Sequence, residues 1–163
     1  LALFSARPSI GYYRRMSEAA KHAGELGRWR EHVLASDRSV AVSILLSEGD
    51  LNAAVEARGS GASDDRIDPE VRLELAGRIS PTDPEKALDI YRRLVTSYAE
   101  RKNGYSYEKL IGVLRRMGRL MKKRDCREEF LGYLRDLRRQ YRRRHGLAKM
   151  LDRMLARHER RVI

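Results

Sequence analysis

The sequence predicts an all-α protein, and within that class a tetratricopeptide-like α-solenoid: stacked antiparallel helix pairs ending in long basic helices. Apolar residues recur at helical spacing through nearly every ordered segment, and no stretch alternates convincingly with period two. Charged residues make up 36% of the chain, above the usual quarter, and such an excess suits exposed helix faces better than sheets. A shift of 33 residues aligns Asp50 with Asp83, Ala54 with Ala87, Val55 with Leu88, Val40 with Leu73, Val42 with Leu75 and Leu46 with Ile79. That period is close to the roughly 34 residues of tetratricopeptide repeats, whose helix pairs stack into a solenoid. The Trp, Gly and Tyr positions of a strict repeat are not all filled, and a bundle of independent helices is the competing arrangement.

Residues 9–24 place Tyr12, Met16, Ala19, Ala20 and Ala23 on one helical stripe, and Gly24 and Gly27 mark the turn after it. Trp29, Val33 and Leu34 begin a second, short helix. The apolar segment SVAVSILLS at 39–47 has the β-branched content of a strand. It runs at once into EGDLNAAVEA, where Asp50 caps a helix carrying Leu51, Ala54, Val55 and Ala57, so the two read as helix, turn, helix. RGSGASDDR at 58–66 is the most loop-like stretch. Asp68 with Pro69, and Asp83 with Pro84, each put a capping carboxylate before proline at the first helical position. The helix after Pro84 carries Leu88, Tyr91, Val95 and Tyr98 on one face, and Asn103-Gly104 ends it. Ser106 opens the next helix, with Leu110, Leu114, Met117 and Met121 in line. After Asp125 a helix over 127–144 packs through Phe130, Leu134, Leu137 and Tyr141, Glu128 lies four residues from Arg124, and Gly146 breaks the helix. A last helix carries Leu147, Met150, Leu151, Met154 and Leu155.

With 163 residues, one helical-repeat domain over 1–163 is the default, long enough to bury a core. Its charge divides sharply. Residues 1–100 hold 14 Lys/Arg against 16 Asp/Glu, while residues 101–163 hold 21 against 7, a net of +14. The repeat part is thus near-neutral and the C-terminal helices strongly basic. Such asymmetry points to nucleic acid, acidic partners or anionic lipid, or merely to the solvated faces of long amphipathic helices. The one cysteine, Cys126, allows no intrachain disulfide, so a reducing, cytoplasmic setting is expected. No apolar run approaches the ~18 residues of a membrane span, so no membrane partner is expected. The chain begins at Leu1 with neither a Met nor a signal peptide, and reads as a piece of a longer or trimmed protein.

Catalytic patterns are sparse, and the chain reads as a non-enzyme without cofactor. His22, His32, His145 and His158 make no i,i+3 or i,i+4 pair, and Cys126 has no CxxC partner, so no metal site is expected. Cys126 stands at a helix start among Lys122, Lys123, Arg124 and Arg127, a setting that favours thiolate, although one cysteine in a basic segment is more often incidental. No GxxxxGK[ST] or GxGxxG occurs. Gly59 and Gly61 lie beside acids, a poor phosphate cradle, and Asp64, Asp65 and Asp68 lack the spacing of an EF-hand.

The basic run LRDLRRQYRRRHG at 134–146 offers the main candidate site. Arg135, Arg138 and Arg142 form one helical stripe and Arg139 with Arg143 a second; on the preceding helix Arg115, Arg119 and Lys122 form a third. Sharing one outer surface, these residues would neutralise several phosphates of DNA or RNA without reading sequence. Aromatic interleaving is weak: Tyr133 and Tyr141 read as core or boundary, and only Tyr105 and Tyr107, near a turn, are candidates for exposure.

The runs PEKALDIYRRLVTSYAERKNGYSYEKLIGVLRRMGRL and REEFLGYLRDLRRQYRRRHGLAKMLDRML resemble the C-terminal helical region of bacterial SWIM zinc-finger proteins, and GDLNAAVEA is similar to its solenoid part. The likeness spans about residues 35–160 and rests on helical-repeat patterns. The family's CxC…CxH zinc motif is absent, so no zinc ligand carries over. The resemblance implies the solenoid portion of a larger protein, engaged in protein or DNA interaction, with the arginine run as a structural helix. Taken together, the expected function is a helical-repeat scaffold that binds another protein or another region of its parent chain. The alternative is a sequence-independent nucleic-acid-binding module.

Overall fold

The computed structural model describes residues 26–59 and 66–159, together with Gly11 and Ser17. Both of those isolated residues are helical. The remainder of the expected helix at 9–24, and the loop carboxylates Asp64 and Asp65 with Gly61, lie outside the described residues. Among the described residues there are eight α-helices and no strand: α1 Leu26–Ser36, α2 Arg38–Glu48, α3 Leu51–Arg58, α4 Pro69–Ile79, α5 Pro84–Glu100, α6 Gly104–Lys123, α7 Arg127–Gln140 and α8 His145–Glu159. The chain forms two compact units, residues 1–78 and 79–163.

In the first unit α2 packs on both α1 and α3. The strand-like composition of α2 reflects burial: Val40, Ala41, Val42, Ile44, Leu45 and Leu46 are all buried, so β-branched residues sit in the helix because packing outweighs propensity. Asp37 caps it, accepting from the Val40 N–H at 2.9 Å. Gly49 ends it in the left-handed region at φ 81°, where a side chain would be strained. The Gly49 N–H donates to the Leu46 carbonyl and the Asp50 N–H to that of Leu45, closing the helix as a Schellman motif. The Asp50 carboxylate then accepts from the Ala53 N–H at 3.0 Å and starts α3. The Arg30 guanidinium on α1 grips Glu48 at the end of α2 at 2.7 Å. The Asp68 N–H donates to Ser39 Oγ at 2.9 Å, and Arg78 Nη1 to the Leu46 carbonyl at 3.0 Å, so both ends of α4 are tied to α2.

In the second unit α5 packs on α6, and α6, α7 and α8 pack on one another. The core stripes follow the spacing: Leu88, Tyr91, Val95 and Tyr98 on α5; Leu110, Leu114, Met117 and Met121 on α6; Phe130, Leu134 and Leu137 on α7; Leu147, Leu151 and Met154 on α8, where Met150 and Leu155, expected beside them, are only half-buried. Gly118 admits the closest approach. A Cβ there would stand 2.7 Å from Phe130 Cε1, so the bare backbone of α6 is what lets the Phe130 ring lie against it.

The 33-residue spacing has a local counterpart. Asp83 accepts from the Lys86 N–H at 3.1 Å as Asp50 does from Ala53. Ala54 and Ala87 are both wholly buried, as are Val42 and Leu75, while Leu46 and Ile79 are buried to within a few per cent. The match weakens at Val40 and Leu73, where the second is only half-buried, and at Val55 and Leu88, where the first is.

Several boundaries depart from the sequence reading: Gly27 lies within α1 and Gly146 within α8, not in the breaks expected there. Asn103-Gly104 opens α6 rather than closing α5: the Asn103 side chain accepts from the Ser106 N–H at 2.8 Å, and Ser106 is buried inside the helix. Asparagine serves both ends of helices, and here its amide oxygen has three free N–H groups ahead of it. The helix expected over 127–144 stops at Gln140, leaving Arg142 and Arg143 in a turn. The Arg144 guanidinium donates to the Ala99 carbonyl at the end of α5 and lies 4.8 Å from the centroid of the buried Tyr141 ring, contacts that draw the chain off the helical path.

Candidate functional site

All eight arginines and lysines of the candidate surface are solvent-accessible: Arg115, Arg119, Lys122, Arg135, Arg139, Arg142 and Arg143 are exposed, and Arg138 is half-buried. They are not equivalent. Arg138 Nε donates to Asp152 of α8 at 2.7 Å, and Arg139 bonds Asp136 one turn back at 2.7 Å, so part of the arginine run is already neutralised. Arg142 and Arg143 lie beyond α7 and do not continue its stripes. Arg124, expected to face Glu128, pairs instead with Glu85 at 2.7 Å. Arg124 caps α6 and Glu128 belongs to α7, so their four-residue spacing is not a helical one.

The stripe on α6 divides by azimuth. At about 100° per residue, Arg115 and Lys122 lie about 20° apart, while Arg119 is turned about 40° to the other side of Arg115. Arg116 and Arg119 direct their charge at Tyr91: burial pushes the Tyr91 phenol up, and the two guanidinium groups oppose that rise. Burial also pushes Tyr133 up to about 12, opposed by Arg92, and raises Tyr141 against the opposing charge of Arg144.

Arg115 and Lys122 instead face a furrow between α6 and α8. A hollow of about 210 Å³ is lined by Ile111, Arg115, Met150, Arg153, Met154, Arg157 and His158. A second, of about 100 Å³, is lined by Gly118, Lys122, Arg127, Phe130 and His158, so His158 is a wall common to both. Its ring meets Phe130 edge-on at 5.3 Å between centroids, and its backbone carbonyl accepts from Arg127. Among the described side chains, five cationic ones and no carboxylate line the two hollows. Arg153 and Arg157 are not singled out by the sequence, which weighs Arg127 only beside Cys126 and His158 only as a metal ligand. The signal available was the i,i+4 pair Arg153 and Arg157 beside Met150 and Met154, but only folding shows that α6 brings Arg115 and Lys122 to them.

Tyr105 is the one large exposed apolar side chain among the described residues, with the Lys109 ammonium 5.5 Å over its ring, whereas Tyr107 is half-buried near Gly146. Tyr141 is buried and Tyr133 half-buried, in keeping with core and boundary roles. Cys126 is half-buried, and its thiol donates to the Arg124 carbonyl at 3.4 Å. Among the described residues, no group of three or more His, Cys, Asp or Glu side chains could hold a metal ion, and no helix is long and apolar enough to cross a membrane. Compared with protein-family models, curated proteins and solved structures, the chain matches none of them.

Proposed function

We propose that this protein is a non-enzymatic helical-repeat scaffold of the tetratricopeptide type, its helix pairs stacked antiparallel, that binds another protein or another region of a longer parent chain. The observation that carries the reading is the recurrence, 33 residues apart, of a capping aspartate followed four residues later by a wholly buried alanine, at Asp50 with Ala54 and Asp83 with Ala87. An alanine at that place lets a neighbouring helix approach closely, the packing that repeat arrays use to expose long side-chain-lined surfaces. The resemblance to the helical region of SWIM zinc-finger proteins belongs to the same proposal. Affinity capture with the full chain, followed by cross-linking and mass spectrometry, tests it. Cross-links from a retained protein that persist after nuclease treatment support the scaffold. Capture abolished by nuclease overturns it.

The second reading, a sequence-independent nucleic-acid-binding module, draws on the exposed Arg119, Arg142 and Arg143, which have no carboxylate partner among the described residues. Its measure is fluorescence anisotropy with duplex DNA, single-stranded DNA and RNA over a salt series. Each phosphate contact adds about 0.9 to the log–log slope on duplex DNA, so a variant with Arg138, Arg139, Arg142 and Arg143 changed to Gln should flatten it by up to about 4. Binding that vanishes near 0.15 M salt, or a slope indifferent to the four changes, excludes this role for the arginine run.

A further inference from the structure

We infer that the furrow between α6 and α8 is a docking site for an acidic amphipathic segment of a partner protein, an inference that rests on the scaffold reading. The occupant follows from size and chemistry together. The larger hollow, about 210 Å³, falls below the ~300–1,000 Å³ of small-molecule sites and suits one or two large apolar side chains. Its floor is Ile111, Met150 and Met154, and that of the second hollow is Phe130 against the bare backbone of Gly118. Methionine side chains adapt to apolar partners of varied shape. A phosphate chain would gain nothing from such a floor.

The rim decides the sign of the partner. Arg115, Arg153 and Arg157 stand around the larger hollow, and Lys122 and Arg127 around the smaller. Arg115, Lys122, Arg153 and Arg157 form no ion pair with any carboxylate whose side chain the structure describes. Arg127 is already oriented by its bond to the His158 carbonyl at the end of α8. Four cations that no described side chain counters, around an apolar slot, are complementary to a segment that seats Leu or Phe in the slot and flanks it with Asp or Glu. An amphipathic helix does so with anchors at i and i+3 or i+4.

The test uses the full chain and a labelled helical peptide with Leu and Phe at i and i+4 among Asp and Glu. A scrambled peptide of the same composition and a duplex DNA are the comparisons, all near 0.15 M salt. Binding of the patterned peptide at least tenfold tighter than the scramble is expected. It should fall at least tenfold in the Arg153→Glu, Arg157→Glu double variant, which alters exposed positions and whose helicity is checked by circular dichroism. The Arg142→Glu, Arg143→Glu variant carries the same charge change outside the furrow and should bind as the unaltered chain does. Equal affinity for the scramble, or equal loss in both double variants, would reduce the furrow to unspecific charge and overturn the proposal. DNA binding with the furrow variant's sensitivity would assign the site to nucleic acid instead. Failure of the peptide alongside nuclease-resistant capture of a protein cross-linked elsewhere would remove this site and leave the scaffold standing.

Discussion

Gly118→Ala sets two effects of opposite sign against each other at one position. Gly118 lies inside α6, where alanine is the better helix former by about 1 kcal/mol. The added Cβ, however, would stand 2.7 Å from Cε1 and 2.8 Å from Cζ of Phe130, against the roughly 3.5 Å at which carbon atoms rest in contact. One of the two must therefore give by about 0.8 Å. The ring has little room to do so, being 2% exposed and held edge-on against His158. Overpacking of this kind costs about 1–3 kcal/mol, so the steric effect should win and the variant should lose about 1 kcal/mol net. In a Phe130→Leu background the clashing atoms are gone, and the same Gly118→Ala change should stabilise the chain by about 0.5–1 kcal/mol. The four chains of this double-mutant cycle can be compared by equilibrium urea unfolding, with a coupling of about 1–3 kcal/mol expected. A Gly118→Ala variant more stable than the unaltered chain, or equally shifted in both backgrounds, would refute the close approach of α7 to α6 at this point.

The tyrosines supply a pH dependence. Burial holds the Tyr133 hydroxyl protonated up to about 12, whereas it ionises near 10 in an unfolded chain, so the folded state binds the proton more tightly. The associated stability is present below about pH 10 and lost as pH rises toward 12, about 3 kcal/mol in all. Tyr133→Phe should resist alkali better than the unaltered chain, and ultraviolet difference titration should show one late-ionising phenol fewer; ordinary titration of every tyrosine would contradict this. Asn103→Ala removes the acceptor for the Ser106 N–H and should cost about 1 kcal/mol, with faster amide exchange confined to the first turn of α6.

Local signals account for what the sequence made legible. The caps at Asp50 and Asp83 and the apolar stripes of α5 to α8 depend only on residues within a turn or two of one another, and the structure places them as the spacing predicts. The end of α7 does not depend on local sequence alone. YRRR reads as the last turn of the helix, yet Arg144 reaches the Ala99 carbonyl, a contact across 45 residues. The four-residue spacing likewise points Arg124 to Glu128, whereas its partner is Glu85, far back in the chain. The furrow was illegible for the same reason: Arg115 and Arg157 are brought together by the packing of α8 on α6, which no periodicity within either helix encodes.

The arginines that bind carbonyls give the basic half a second meaning. Arg127 is directed at the carbonyl of His158, and Arg144 at that of Ala99 while lying against the Tyr141 ring. These contacts use the planar, forked guanidinium as a joint between distant main-chain segments, a task that the single point charge of lysine performs poorly. Identity and charge are therefore separable demands on this region. At Arg142 and Arg143, exposed in the turn, any cation would preserve the electrostatic field. At Arg127 and Arg144 an exchange for lysine would keep the field and loosen the architecture beneath it. Drift of the sequence under selection for charge alone should thus pass freely through the first pair of positions and stall at the second.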